Sequence, residues 1–182
     1  IIRIRTIKAQ KDRLEQQVRE RTHELEVAST EIEAQRDFAR SQRDQIAQQQ
    51  KAIMSSIQYA QRIQNSLLPS GKLLKEKLPE HFILFKPRDI VSGDFYWFSD
   101  HEKHFYISAA DCTGHGVPGA FMSMLGMALM NEIVHKHPDI DPDSLLNELR
   151  RQIIDTLQQQ GEPGAAKDGL DMVVCKVDKL NG

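Results

Sequence analysis

The chain has 182 residues, of which 40% are hydrophobic, 27% charged and 6% aromatic, a balance too polar for a membrane bundle and too apolar for wholesale disorder. Twenty-four basic residues against 26 acidic ones leave a net charge of -2, which removes the positive field that non-specific nucleic-acid binding requires, so no nucleic-acid partner is expected. Cys112 and Cys175 stand 63 positions apart with no second thiol near either, which argues against a disulfide framework and a Cys-rich zinc site and points to a reducing, cytoplasmic compartment.

The N-terminus, Ile1-Ile2-Arg3-Ile4-Arg5, carries neither a starting Met nor an apolar run of spanning length. It reads as a piece of a longer protein with no membrane contact of its own, a reading that leaves room for an anchor elsewhere in the parent. All ten glycines and all seven prolines lie after residue 68, so the opening stretch, rich in Gln, Glu, Arg and Ala, predicts one long helix. Residues 1–70 carry 12 basic and 9 acidic side chains, whereas residues 71–182 carry 12 and 17. The predicted organisation is a helical arm over 1–68, a linker over 69–81 and a folded domain over 82–182.

Within the arm a seven-residue period places Ile4, Lys11, Val18, Leu25, Ile32, Ala39, Ile46 and Ile53 at a, and Ile7, Leu14, Arg21, Ala28, Gln35, Gln42, Gln49 and Ser56 at d. Seven of the eight a positions are apolar while the d row decays into Arg and Gln, the pattern of an adjustable seam rather than a tight zipper. After Ile53 the apolar beat restarts at Ile57, Ala60 and Leu67, a stutter. More than sixty helical residues form a rod of roughly 100 Å, too long for a small domain to cover, so a parallel coiled-coil homodimer is expected. A solitary surface helix is the plainer alternative.

From residue 82 the pattern turns to short β-type runs: 81–85, 94–98 and 104–110, rich in aromatic and β-branched residues, with a polar hairpin loop over 99–103. An apolar, Met-rich helix follows, with Pro118 in its first turn and its end near His135; its methionines read as adaptable core filler. A second helix opens with Asp141 as N-cap and Pro142 at N1, and Leu145, Leu146, Leu149, Ile153, Ile154 and Leu157 recur at helical spacing. Gly161-Glu162-Pro163-Gly164 is expected to end it, before a last strand over 172–177. The order β-β-β-α-α-β is an α+β layer arrangement.

Two carboxylates stand at strand ends beside glycines, in Ser92-Gly93-Asp94 and in Ala110-Asp111-Cys112-Thr113-Gly114-His115-Gly116. Taken singly, each Asp suits a turn or a helix cap. Together they form a natural hard-cation site, because carboxylate and main-chain carbonyl oxygens suit Mg²⁺ or Mn²⁺ and glycine lets the backbone approach. His115 is read as shaping the turn into the helix rather than as a general acid. His135 and His137 do not share a helical face and are not read as a zinc pair.

Val91-Ser92-Gly93-Asp94-Phe95-Tyr96 followed by Ala110-Asp111-Cys112-Thr113-Gly114-His115-Gly116-Val117-Pro118-Gly119-Ala120-Phe121-Met122-Ser123 resembles the PPM-type metal-dependent serine/threonine phosphatases, in their SpoIIE/RsbU-like bacterial branch. The run from Ser55 to Pro69 is similar to the linker helix preceding such domains in sensor proteins. The resemblance implies a PPM β-sandwich flanked by helices, and hydrolysis of phosphoserine or phosphothreonine on a regulatory protein of the anti-sigma-factor-antagonist type. It implies two Mn²⁺ or Mg²⁺ ions bridged by Asp111, with the Cys112 backbone carbonyl and Asp94 serving one of them, and water rather than a side chain as nucleophile.

The family's domain runs well past Gly182, where its later metal-binding Asp residues lie, and neither Asp168-Gly169-Leu170-Asp171 nor Asp178 replaces them. The expectation is therefore a truncated domain with weak metal binding and little or no activity in this chain. A non-catalytic dimerisation and docking module with structural Asp residues is the rival reading. A histidine-kinase relay at His23 lacks a following ATP-binding motif.

Polar d positions leave the seam able to adopt more than one packing. Cysteines placed at a and d positions should cross-link in patterns that change with the state of the upstream region; one invariant pattern in both states would refute the adjustable seam.

Overall fold

In the computed structural model, residues 2–159 and 168–179 are described, with the side chains of residues 2–6 excepted. The side chain of Ile4 and the segment Gly161-Glu162-Pro163-Gly164 thus lie outside the described residues. Two compact units divide the chain, Ile1–Ile53 and Met54–Gly182.

Helix α1 (Ile2–Leu67) is unbroken over 66 residues, as expected for a stretch without Gly or Pro. Within the first unit its surface is laced by ion pairs at helical spacing, such as Lys11–Glu15 at 3.5 Å and Arg21–Glu24 at 2.8 Å, each worth roughly 0.2–0.5 kcal/mol. The seam residues Ile7, Leu14, Val18, Leu25, Ile32, Ile46 and Ile53 are all more than half exposed in the single chain.

The second unit holds the end of α1, then α2 (Gly71–Lys77), β1 (Phe95–Asp100), β2 (His104–Cys112), α3 (Gly116–Lys136), α4 (Pro142–Thr156) and β3 (Leu170–Asp178). The segment read from sequence as a linker thus contains α2, whose N-cap Ser70 accepts a hydrogen bond from the Leu73 N–H at 3.2 Å. The strands form one antiparallel sheet in the order β1-β2-β3, so the chain leaves β2, makes two helices and returns to β2's free edge. This is the α+β arrangement expected from sequence.

The strand expected over 81–85 does not form: residues 81–87 are irregular, with Phe82 90% and Leu84 75% exposed. An apolar run becomes a strand only when a neighbouring backbone takes its N–H and C=O groups, and here the run instead crosses the sheet's outer face, where Phe85 meets Tyr96 edge to face at 5.6 Å.

Burial alternates along β2 with period two. Trp97, Tyr106, Ala110 and Cys112 point inward, onto Met122, Met127, Met130, Ile133 and Val134 of α3 and Leu145, Leu149 and Ile153 of α4. The methionines of α3 are core filler, as read. By length and composition α3 is apolar enough to cross a membrane; its apolarity serves this core. Two polar groups at the core's edge find partners. The Trp97 indole N–H donates to Asn131 Oδ1 at 2.7 Å, and the Tyr106 hydroxyl donates to the Ile140 carbonyl at 2.6 Å. Ile107 and Val173 lie on the opposite, exposed face.

Asp141 and Pro142 do open α4, but the Asp141 side chain makes no cap hydrogen bond and lies 3.7 Å from the Lys176 ammonium. The helix stops at Thr156, and Gln158 takes a left-handed φ of 53° just beyond it, a terminating conformation more often held by Gly or Asn.

Leu145 is fully buried between the two helices and the sheet. Leu145→Ala should cost about 2–5 kcal/mol, read as a lower urea midpoint at unchanged slope, with Trp97 fluorescence as the probe.

Candidate metal centre

The β1–β2 register pairs Phe95 with Ala110. One step further along the same antiparallel register sets Asp94, immediately before β1, opposite Asp111, the penultimate residue of β2. The structure therefore brings the two sequence-predicted carboxylates together. Like charges directly across a strand pair destabilise a sheet. The consequence appears at Asp94, whose carboxyl is held above the usual carboxylate range, first by desolvation and then by the hydrogen bond and the charge of Asp111.

Backbone shape around the pair is set by glycines. A Cβ on Gly93 would stand 2.8 Å from the Gly114 carbonyl oxygen and 3.2 Å from that of Cys112, and one on Gly119 would stand 2.6 Å from the Gly114 oxygen. Only bare backbone fits there, so the segment before β1, the turn after β2 and the first turns of α3 lie in contact. Gly114 and Gly116 have φ of 88° and 62°, a region that L side chains rarely enter. The chain can then turn from β2 into α3 within three residues.

His115, between these two glycines, is the N-cap residue of α3 and lies 3.2 Å, through Nδ1, from Asp89 Oδ2. Its place is at the turn, and its partner Asp89 was not flagged by sequence. Thr113 also went unflagged. Its N–H and hydroxyl both meet the Gly169 carbonyl, at 2.9 and 3.1 Å, and its hydroxyl accepts from the Gly169 N–H. The turn before β3 is thereby tied to the end of β2.

Of Cys112, only the main chain is available beside the pair. Its side chain is 4% exposed within the core, and its thiol is pushed up to about 12, first by burial and then by Asp111 and Asp94. A thiol so held stays protonated at neutral pH and makes a poor metal ligand, whereas its carbonyl oxygen, beside Gly93, is a hard donor. Asp171 pairs with Asp111 across the other edge of β2, yet no group of three His, Cys, Asp or Glu side chains arranged to hold a metal occurs among the described residues. Two opposed carboxylates with adjacent carbonyls and open solvent match the needs of Mg²⁺ or Mn²⁺, which accept oxygen ligands, Mg²⁺ commonly keeping several waters. The donor set fits such an ion. It does not suit a soft metal, because the one nearby sulfur is neutral and buried.

Among solved structures, the chain is similar to the SiaA-PP2C domain of Pseudomonas aeruginosa, with 37% identity and a TM-score of 0.63 over 71% of this chain and 50% of that one. The chain thus spans about half the length of the structure it matches. No protein-family model and no curated protein matches it. The fold is thus that of part of a PPM-like domain.

The two thiols should differ sharply in reactivity. With a pKa of about 12, Cys112 is roughly 10⁻⁴ thiolate at pH 8, whereas Cys175 is exposed. A chromogenic disulfide reagent should therefore label one thiol per native chain and two after unfolding; fast native labelling of both would show that Cys112 is not held as described.

Proposed function

We propose that the chain carries the metal-binding half of a PPM-family protein serine/threonine phosphatase of the SpoIIE/RsbU-like kind, acting on a phosphorylated regulatory protein in bacterial signal transduction. The observation that carries this reading is the juxtaposition of Asp94 and Asp111 beside the Cys112 carbonyl. The likeness to a PP2C domain supports the same chemistry.

Asp94 and Asp111 would hold Mn²⁺ or Mg²⁺, with the Cys112 carbonyl as a further ligand and two ions expected in the intact domain. Such ions, when bound, lower the pKa of water and neutralise charge on a phosphoryl group. Within this chain Asp94 and Asp111 provide the negative charge that selects a cation and fix where it sits. The Gly93–Gly114–Gly119 contact keeps side chains out, so that main-chain oxygens and a phosphate can approach. No side chain of this chain has to act as nucleophile, and Cys112, neutral and buried, is not available as one.

The helical arm is proposed as a parallel homodimeric coiled coil, supported by its exposed a and d residues, and it delivers the input of an upstream sensor to the cytoplasmic domain. The rival docking-module reading draws on the same exposed seam and differs in giving the two Asp residues a structural role only.

The discriminating experiment is Asp111→Asn in the full-length protein. Manganese-dependent release of phosphate from a phosphoserine protein should fall by at least about 10²-fold while the dimer persists in sedimentation. Unfolding or loss of the dimer, or undiminished turnover, would favour the rival. The 182-residue chain alone is expected to release little phosphate; turnover near that of the full-length protein would overturn the proposed division of the site.

A further inference from the structure

At the end of the sheet remote from Asp94 and Asp111, three successive carbonyls of the α3–α4 turn are met by donors from the strands. His104 Nε2 lies 3.1 Å from the Pro138 carbonyl, the Lys176 ammonium donates to the Asp139 carbonyl at 2.9 Å, and the Tyr106 hydroxyl donates to the Ile140 carbonyl at 2.6 Å. Lys176 also reaches the Asp139 carboxylate at 2.7 Å. A carbonyl can only accept, so the hydrogen-bond pattern assigns a proton to His104 Nε2. The Nδ1 of this buried ring then faces Asp139 Oδ1 at 3.7 Å. The turn joining the two helices that seal the core is thus held from β2 and β3.

A second imidazole closes over the first. His101, in the β1–β2 hairpin, stacks on His104 with ring centroids 5.1 Å apart and planes 14° from parallel, and both rings stand perpendicular to the Tyr106 ring. The hairpin holds His101 there: its N–H donates to the His104 carbonyl at 2.9 Å, its Nε2 lies 3.0 Å from Ser99 Oγ, and the Lys179 ammonium donates to its carbonyl. Two neutral rings stack without repulsion, and one charged ring is still tolerated. Two imidazolium ions so close, one of them buried, repel each other with little screening by water. Facing the pair are Asp100 of β1, Glu102 and Lys103 of the hairpin, Asp139 and Asp141 of the turn, and Lys176, Asp178 and Lys179 from β3 and just beyond it.

We propose that the stacked His101–His104 pair is an acid-operated latch: it holds the β1–β2 hairpin against the α3–α4 turn while the two rings share at most one extra proton, and a second proton parts them and loosens the turn. Burial and charge act in the direction this requires. The His101 imidazole is held below its ordinary 6.5, first by desolvation and then by the charge of His104. A ring held in this way binds its proton more readily once released, so the closed arrangement is at full strength above 6.5 and weakens as pH falls below it. The neighbouring carboxylates do not blur the response. Asp139 is held below the usual carboxylate range by its hydrogen bond from Lys176, and Asp100 by Lys179 and Lys77, so both stay charged while an imidazole titrates. The latch is independent of the function proposed above.

The test follows the full chain by nuclear magnetic resonance from about pH 7.5 to about pH 5.5, reading imidazole titration and amide hydrogen exchange corrected for its intrinsic pH dependence. The reporters are the amides of His101 and Ile140, which donate to the His104 and His137 carbonyls at 2.9 and 3.1 Å. In wild type their protection should fall by about three- to tenfold, tenfold being the limit one pH unit below the free value when the closed pair takes up no second proton. The β2–β3 ladder should stay protected, and the His101 ring should titrate below 6.5. His101→Phe keeps a ring to stack on His104 and removes the titrating nitrogens, so its Ile140 protection should be constant over the same range.

Wild-type protection at His101 and Ile140 that changes less than about twofold overturns the latch. So does a His101 ring that titrates at or above 6.5. A fall shared equally by the β2–β3 ladder is global acid unfolding and overturns a local device. The same fall at Ile140 in His101→Phe assigns the response to another group and overturns the role of the pair. Should His101→Phe fail to fold, His101→Gln decides, because its amide can meet Ser99 and does not titrate: constant Ile140 protection supports the latch, and a wild-type fall overturns it.

Discussion

Two carboxylates forced to face one another across adjacent antiparallel strands are the constraint around which the folded unit is arranged. The register Phe95↔Ala110 leaves Asp94 and Asp111 no choice but to be neighbours, and the Asp94 pKa is raised, first by desolvation and then by the hydrogen bond and charge of Asp111. Such a pair, with the Gly114 and Cys112 carbonyl oxygens close to the neighbouring Gly93, has the donor chemistry that a hard cation requires. Everything near the pair serves proximity: Gly93 and Gly119 remove the side chains that would hold three backbone segments apart, and the left-handed Gly114 and Gly116 turn the chain back before it leaves the site.

The hydrophobic core explains why the pair can be held at all. One face of the sheet is sealed by α3 and α4, with Met127, Met130, Leu145 and Tyr106 almost inaccessible to water, and burial of each large apolar side chain contributes roughly 1.5–3 kcal/mol. That stability anchors β2 along its length, and Asp111 lies near its end. The opposite sheet face is different: Ile107 and Val173 are exposed, and residues 81–86 lie across it without becoming a strand.

The end of α1 belongs to the folded unit rather than to the arm alone. Gln64 joins it to Ser92 and Ser123 through a satisfied polar network inside an otherwise apolar setting. Such networks fix geometry more sharply than apolar packing does, since losing any member leaves the others unpaired in a low-dielectric interior.

Much of this was legible from residue order alone. The long helix followed from 68 positions without a breaker, the Met-rich and amphipathic helices from their spacing, β1 and β2 from aromatic and β-branched runs, and the candidate ligands from glycines flanking Asp94 and Asp111. These are local signals, set by backbone freedom and by the period of apolar residues. What the sequence could not decide depends on partners distant along the chain. The run 81–85 has strand composition but no neighbour to complete its hydrogen bonds; Gln158 ends α4 by a conformation that composition does not announce; Asp89, Thr113 and Gln64 acquire meaning only from His115, Gly169 and Ser92, 26, 56 and 28 residues away. Residue order determined which groups could bind a cation and which segments would coil or extend. Only the tertiary structure decided which oxygens meet, because hydrogen bonds and close backbone contacts between remote segments are settled by packing in three dimensions, not by sequence spacing.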